Sequence, residues 1–470
     1  MLPLAERIAE ARRLLHGHYG FQDFRPLQRR VVQSVLAGRD TLAVLPTGGG
    51  KSICFQVPAL VEGGLTVVIS PLLALMQDQM AQLTRRGIPV GSLSSLQSAE
   101  AQQATLARIG RNELRLLYVS PERALRLMLD LPRLGVRPKL FAVDEAHCIS
   151  EWGHDFRPAY RELAGVREEL GRPPTVALTG SATAAVRADI VTSLGLGRHD
   201  LHLGSFDRPN LSFQVEPLRN PAARLPRVRE LLAAREGLAI VYVPTRNTAD
   251  ALAQSLWFSG FRAVSYHAGL ERERRAEALD RFSREDLDVV VATSAFGMGI
   301  DAPRVRIVIH WGLPPTPEAY YQEAGRAGRD GHPSRCVLLY HGSDAEIHRR
   351  QLEVTFPPQK TLEELWNDPG RRARFPAGVV ASAERLKAEL APGQGPVDWR
   401  RIRKRRAAAL ERLEAIERFA ASRGCRRQEL LTYFGERSEP CGRCDRCRRP
   451  RGLRRLLLGR TRRRGSRAPR

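Results

Sequence analysis

Leu45-Pro46-Thr47-Gly48-Gly49-Gly50-Lys51-Ser52 follows an apolar run, Thr41-Leu42-Ala43-Val44, and precedes Ile53-Cys54-Phe55-Gln56. The run reads as a short buried strand and the segment after the loop as the opening of a helix. Strand, glycine-rich turn and helix form the setting of a phosphate-binding loop. Three successive glycines let backbone N–H groups turn inward around phosphate oxygens, close to a helix N-terminus that favours negative charge. In that reading Thr47, Gly48, Gly49, Gly50, Lys51 and Ser52 bind a nucleotide. Lys51 reaches the β- and γ-phosphates and the Ser52 hydroxyl ligates Mg²⁺. The general pattern has a glycine where this chain has Leu45.

The chain has 470 residues, too many for one core, and about three domains are expected. No stretch approaches the ~20 apolar residues of a membrane span. Met1 to Glu10 carries acids and lacks the basic-then-apolar layout of a signal peptide. The expectation is a cytoplasmic or nucleoid-associated protein. A net charge of +24 favours a polyanionic partner, nucleic acid being the commonest. Arginine outnumbers lysine as base composition alone could produce, but such a bias does not explain the excess of bases over acids.

Upstream of the loop, Leu4 to Leu15 and Leu27 to Leu36 have helical spacing. Between them lies Tyr19-Gly20-Phe21-Gln22-Asp23-Phe24-Arg25-Pro26-Leu27-Gln28. Phe21 and Arg25 can sandwich a purine, and Gln28 can bond an adenine edge. A helix N-terminus with a satisfied glutamine would look the same.

Apolar runs recur at Thr66–Ile69, Leu114–Val119, Leu140–Val143 and Thr175–Leu178 with helical segments between them, an alternating α/β layout with a mostly parallel sheet. Ligands bind such sheets at the carboxyl ends of the strands. Asp144-Glu145-Ala146-His147 falls at one of these ends. Asp144 would hold Mg²⁺, Glu145 would polarise an attacking water, and His147 could relay to a neighbouring site. Cys148 to Tyr160 then concentrates Trp152, Phe156 and Tyr160 with His154 and Arg157, in a chain only 6% aromatic. Rings offer any base a face to stack on and arginine binds phosphate, although Trp152 and Tyr160 could equally fill a core. The turn Thr179-Gly180-Ser181-Ala182-Thr183 can bond the His147 region or a second lobe.

Ser205-Phe206-Asp207-Arg208-Pro209-Asn210 breaks both periodicities and reads as a linker. A second alternating set follows, with strands near Ala239–Val243, Arg262–Ser265, Asp288–Ala292, Arg306–His310 and Cys336–Tyr340. It has no phosphate loop, so the nucleotide is expected in a cleft between two lobes. Gln322 to Gly331 offers Arg326 and Arg329, three apart and expected on one helical face, to supply charge across that cleft.

These motifs together resemble the superfamily 2 helicases and, within them, the RecQ family, from Tyr19 to Cys447. The match rests on Phe24-Arg25-Pro26 with Gln28, Pro46–Ser52, Ser70-Pro71-Leu72-Leu73-Ala74-Leu75-Met76-Gln77-Asp78-Gln79, and Asp144–His147 running into Trp152–Tyr160. It continues through Tyr266-His267-Ala268-Gly269-Leu270, Ala292-Thr293-Ser294-Ala295-Phe296-Gly297-Met298-Gly299-Ile300-Asp301 and Gln322–Gly331. Helicases of this kind often relax the first glycine of the loop, consistent with Leu45. The resemblance implies ATP-dependent, 3′-to-5′ unwinding of DNA. It implies that Ser70 and Pro71 contact the DNA backbone, and that Trp152, Phe156 and Arg157 couple DNA to hydrolysis. Thr293 and Asp301 would link DNA grip to the cleft. Arg326 and Arg329 would serve the γ-phosphate, Arg329 as the finger.

Of seven cysteines, Cys54, Cys148 and Cys336 are scattered and read as core residues. Cys425, Cys441, Cys444 and Cys447 are grouped, and in a reducing compartment that suggests a metal. Two-residue gaps fold successive thiolates onto one ion, and a distant fourth closes a tetrahedral zinc site. An iron–sulfur cluster is the rival, since Cys-x2-Cys-x2-Cys also opens those. Nearby arginines suggest that this module rests against DNA phosphates. The segment matches the family's zinc module, and the family's winged helix has no counterpart in Arg448–Arg470, an arginine-rich stretch that reads as a disordered polycation.

The fold expected is α/β: residues 1–205 a first RecA-like motor lobe, 206–342 a second, 343–424 a helical bridge, 425–447 a zinc module and 448–470 a basic tail. The function expected is a short RecQ-like helicase using ATP, Mg²⁺ and Zn²⁺. It would act as a monomer on single-stranded and tailed duplex DNA, with single-strand-binding or repair proteins as partners. A DNA-stimulated translocase that unwinds weakly, or a DNA-binding or annealing protein working through zinc module and tail, are the alternatives.

Overall fold

The computed structural model describes residues 2–46, 48–153, 155–297, 304–390 and 397–448. Thr47, His154, Met298–Asp301 and the stretch from position 449 onward lie outside the described residues, as does the Pro/Gly-rich segment 391–396.

The first sheet has seven parallel strands: β1 (Asp40–Val44), β2 (Thr66–Ile69), β3 (Val90–Leu93), β4 (Leu116–Val119), β5 (Leu140–Val143), β6 (Thr175–Thr179) and β7 (His199–Leu203), in the order β3-β4-β2-β5-β6-β1-β7. Its central strands β2, β5 and β6 are buried at every position because both faces are covered, as parallel sheets require. Alternate residues serve different cores. Leu42, Val44, Val67, Ile69, Phe141 and Val143 join one cluster, while Ala43, Leu45, Val68, Leu140 and Ala142 join the other. Each such Leu, Val or Ile contributes roughly 1.5–3 kcal/mol on burial. Leu45 belongs to this core: its N–H pairs with the Thr179 carbonyl at 2.9 Å, so it extends β1 where other phosphate loops begin with glycine.

The second sheet has six parallel strands: β8 (Leu211–Pro217), β9 (Leu238–Tyr242), β10 (Ala263–Tyr266), β11 (Val289–Ala292), β12 (Val305–His310) and β13 (Ser334–Tyr340), ordered β10-β11-β9-β12-β13-β8. The strands expected from apolar runs are all present; β3, β7 and β8 are additional.

Among the described residues, four α-helices follow β13 up to residue 421. Asp344–Thr355 packs back on the second lobe, with Ala345 in its core. Gln359–Asn367, Ala377–Leu390 and the start of Trp399–Ala421 enclose a separate core of Phe356, Leu362, Leu365, Ala383, Leu386, Leu390 and Ile402. Trp366 stacks on Trp399 at 5.4 Å beside it. The far end of the 23-residue helix Trp399–Ala421 inserts Leu413, Ile416 and Phe419 into the core shared by both lobes. One continuous helix therefore joins this small subdomain to the motor and ends four residues before Cys425.

Candidate nucleotide cleft and zinc module

Strand order places the chemistry. β2, β5, β6 and β1 are consecutive neighbours, so the loops after them converge at one edge of the sheet. Those loops carry Ser70–Pro71, Asp144–His147, Thr179–Thr183 and Pro46–Ser52.

In the phosphate loop, Gly48 and Gly50 have φ of 81° and 71°, conformations that glycine adopts without strain. A Cβ on Gly50 would also collide with the Gln28 amide. Gln28 is buried and fully engaged. Its Nε2 donates to the Gly49 and Gly50 carbonyls at 3.0 and 3.1 Å, and its Oε1 accepts from Arg25 N–H at 3.0 Å. Arg25 donates to the Gly48 carbonyl at 2.6 Å. In this arrangement both residues brace the loop, and Gln28 has the bonds of the satisfied glutamine at a helix N-terminus that the sequence left as the alternative to an adenine-edge reader. Phe21, 52% exposed, and Arg25, also exposed, keep open faces beside the loop.

Lys51 Nζ lies 2.5 Å from Glu145 Oε1. Burial alone would depress the Lys51 ammonium, but Glu145 and Asp144 hold it above its usual pKa, with Arg329 pulling the other way. Asp144 is pushed up to about 6 by burial and by the Glu145 carboxylate beside it, against the attraction of Lys51. Burial opposes ionisation of Glu145 too, yet Lys51 and then His147 hold it well below the carboxylate range. Glu145 also has φ 46° and ψ 48°, a left-handed backbone that costs a non-glycine residue on the order of 1 kcal/mol. This strain sits on the residue best placed to orient a water.

His147 Nδ1 lies 3.3 Å from Glu145 Oε2 and 3.0 Å from Thr179 Oγ1. Two residues on, Ser181 Oγ accepts from Gln322 Nε2 of the second lobe at 2.8 Å. The hydroxyl turn thus bonds both the His147 region and the other lobe.

Behind Asp144 runs a chain of donors, from half-buried Tyr19 to buried Gln79, that sequence reasoning did not identify. Tyr19 Oη donates to Gln56 Oε1 (3.0 Å), Gln56 Nε2 to Tyr118 Oη (3.1 Å), Tyr118 Oη to Gln79 Oε1 (2.6 Å), and Gln79 Nε2 to Asp144 Oδ2 (3.5 Å). Every donor points toward the carboxylate. Gln79 was visible only as part of a motif; the others are ordinary core polar residues in sequence.

Arg326 and Arg329 do not share a helical face. Their helix, Pro317–Ala324, ends first, and both arginines lie on the turns that follow. Gly325 stops regular helix, and Gly328 at φ 56° has no room for a Cβ beside Asn210, the His332 carbonyl and Ser334. Arg208 donates to the Gly325, Ala327 and Gly328 carbonyls, each at 3.0 Å, and Asn210 to Gly328 at 2.8 Å. The Arg208-Pro209-Asn210 stretch, which reads as a linker, is the frame of this turn. Arg326 turns inward to the Gly297 carbonyl. Arg329 faces the phosphate loop, its Cγ 4.0 Å from a Cβ built on Gly48.

Ser70 and Pro71 are buried, Ser70 completely, so neither side chain forms part of an exposed DNA track here. Arg157 donates to the Pro71 carbonyl at 2.6 Å. Tyr160 is a core residue, donating to the Asp144 carbonyl at 3.1 Å. Trp152 and Phe156 are half-buried, as is Thr293 beyond β11. Cys54, Cys148 and Cys336 are buried as expected.

The Sγ atoms of Cys425, Cys441, Cys444 and Cys447 all lie within 4.8 Å of one another. Two of the edges, Cys441–Cys447 and Cys444–Cys425, measure 4.0 Å. A tetrahedral zinc with ~2.3 Å bonds has S···S edges of about 3.8 Å. A cluster that gives each thiolate its own iron would spread them further. Amides of Cys441, Arg443 and Cys444 donate to these sulfurs at 3.3–3.4 Å. Three of the nearby arginines bond to protein: buried Arg426 to Asp445 within the module, and Arg427 to Asp207 and Arg443 to the Pro209 carbonyl, which fasten the module to the start of the second lobe.

Three family models match: DEAD/DEAH box helicase over residues 25–190, helicase conserved C-terminal domain over 223–331, and RecQ zinc-binding over 393–448. The chain is 39% identical over 439 residues to the ATP-dependent DNA helicase RecQ of Pasteurella multocida, covering 93% of this chain and 62% of that protein. It is 40% identical over 442 residues to the probable ATP-dependent DNA helicase RecS of Bacillus subtilis, covering 91% and 88%. The chain thus spans less than two thirds of the first and most of the second. Among solved structures, the Mycobacterium smegmatis helicase Lhr bound to ssDNA and AMP-PNP superposes with a TM-score of 0.56 at 22% identity, over 85% of this chain and 56% of that one. Saccharomyces cerevisiae Dbp5 bound to RNA and ADP BeF3 gives 0.60 at 20%, over 74% and 92%. At such identities the likeness is one of fold: two RecA-like lobes.

Proposed function

The chain belongs to the RecQ family of ATP-dependent DNA helicases, and on that premise we propose that it hydrolyses ATP to move 3′-to-5′ along single-stranded DNA and part duplexes. The observation that carries the reading is the meeting of Lys51, Asp144 and Glu145 in one lobe with Arg329 of the other.

ATP sits between the lobes, its base against Phe21 and Arg25, its phosphates on Gly48–Ser52 with Lys51 between the β- and γ-groups. Mg²⁺ fits the hard oxygens of Ser52 and Asp144: the Asp144 carboxylate is buried, and among the described residues its Oδ2 receives only the long 3.5 Å bond from Gln79. When bound, Mg²⁺ neutralises charge on the β- and γ-phosphates. Glu145 takes the proton side of the attacking water as the bond from the β,γ-bridging oxygen to the γ-phosphorus breaks, giving ADP and phosphate. Arg329 stabilises the charge that develops on the γ-phosphoryl oxygens. The path Glu145–His147–Thr179 and the Ser181–Gln322 bond give the lobes a contact that senses this site. Zinc fits the four thiols and fastens the module to the motor.

We place the protein with DNA in the cytoplasm or nucleoid, as a monomer, alongside single-strand-binding or repair proteins. The domain limits expected from the sequence are retained in this proposal. The test is ATP hydrolysis with and without single-stranded DNA, beside Glu145→Gln. Stimulation in the wild type and its loss in the variant are expected; a rate indifferent to DNA would overturn the reading.

A further inference from the structure

The helix Trp399–Ala421 is fixed against the aromatic-rich loop by contacts that only tertiary structure reveals. Arg401 Nε donates to both oxygens of the buried Glu151 carboxylate, at 2.9 and 3.1 Å. Arg412 donates to the Trp152 carbonyl at 2.8 Å. The Arg405 guanidinium lies 4.8 Å from the centre of the Phe156 ring and pairs with Glu389 at 2.7 Å. At about 100° per residue, 401, 405 and 412 fall on one stripe, which faces the loop. These three cations are consumed by protein.

The flank beside that stripe is different. Arg400 and Lys404, one turn apart on it, are exposed. Among the described residues neither has a carboxylate within 4.0 Å. Arg403 lies on the side of the helix opposite the stripe. Lys404 Nζ lies 5.6 Å from the centre of the Trp152 ring, so this flank begins at the aromatic that would meet a base. Rings for bases beside unpaired cations for phosphates is the arrangement that holds a single strand without reading its sequence. The rigid anchorage to Glu151 and Trp152 keeps the cations at a fixed distance from the rings, which a solvated charge run does not do.

We propose that Arg400 and Lys404 form a phosphate-binding track that extends the aromatic-rich loop, taking the backbone of single-stranded DNA across the small helical subdomain. The inference rests on the DNA-motor reading above and adds a surface to it. Arg406, equally exposed but on the opposite flank, provides an internal control.

The experiment is binding of fluorescein-labelled oligo-dT by the full zinc-loaded chain across a salt series. The proteins compared are wild type, the double variant Arg400→Ala/Lys404→Ala, and Arg406→Ala. Zinc content and a thermal melt check that each is folded. Each lost phosphate contact lowers the slope of log K against log salt by about 0.7 for a single strand, so the double variant loses about 1.4 units. The gap between wild type and double variant then narrows by a factor of roughly seven from 0.05 to 0.2 M salt. Arg406→Ala keeps the wild-type slope. A folded double variant with the wild-type slope, or an Arg406→Ala slope lowered as much per charge, overturns the proposal and leaves the motor reading standing. A wild type that fails to bind oligo-dT at low salt overturns both.

Discussion

Arg329 of the second lobe stands over Gly48 of the first, its Cγ 4.0 Å from where a Gly48 side chain would begin, and its charge acts on Lys51. The phosphate loop therefore meets a cation it does not encode. Arg329→Ala should lower kcat by about 10³-fold or more while the KM for ATP changes only a few-fold, because the arginine acts on charge that develops during transfer. Steady-state ATPase in saturating DNA measures this. Arg326 serves the Gly297 backbone instead, so Arg326→Ala should also lower the melting temperature. A near-wild-type kcat for Arg329→Ala would reassign the finger.

Asp144 carries a stability cost. Its folded pKa, about 6, lies above the ordinary carboxylate value of 3.8, so the ionised form is the one burial penalises. That penalty is absent below about pH 4, grows between 4 and 6, and is complete above 6. Asp144→Asn should raise the melting temperature of metal-free protein at pH 7.5 and abolish ATPase. The stabilisation should disappear as pH falls to 4. Equal melting temperatures at pH 7.5 would contradict the account.

Tyr118 sits in the middle of the donor chain that ends on Asp144, 2.6 Å from Gln79 Oε1. Tyr118→Phe keeps the shape and removes the donor. We expect the Mg²⁺ concentration for half-maximal ATPase to rise several-fold, with nucleotide binding in EDTA unchanged. A change in the second quantity without the first would mean that the chain holds the phosphate loop and not the carboxylate.

Zinc should be structural. Cys444 is fully buried, and Phe434 of the module stacks on Phe206 at 4.4 Å, next to the Arg208 that frames the arginine turn. Cys444→Ser should lose one equivalent of zinc, melt at lower temperature and hydrolyse ATP more slowly. Metal analysis beside a melting curve tests this, and a zinc-free variant with wild-type stability would contradict it.

Both sheets and the phosphate loop were legible in sequence because parallel central strands are uninterrupted apolar runs. β7 escaped because it is an edge strand with mostly exposed or half-exposed side chains, and β3 because Gly91 and Ser92 dilute a four-residue run. β8 alternates buried Leu211, Phe213 and Val215 with polar residues, a pattern weaker than the buried runs beside it. The residues proposed to bind nucleotide are local in sequence, so spacing alone suggests them. What was not legible depends on distance: Gln28 turned onto the loop, Arg326 and Arg329 on a turn set by two glycines, Ser70 buried. The contacts of Glu151 with Arg401 and of Trp152 with Arg412 span 250 and 260 residues. No periodicity encodes such pairs.

The central claim is a DNA motor with polarity, and strand displacement tests it most directly. A duplex with a 3′ single-stranded tail is compared with a 5′-tailed control, each with and without ATP. The account predicts ATP-dependent displacement from the 3′ tail only, abolished by Lys51→Ala. Displacement from neither substrate, together with an ATPase that DNA does not stimulate, would contradict it.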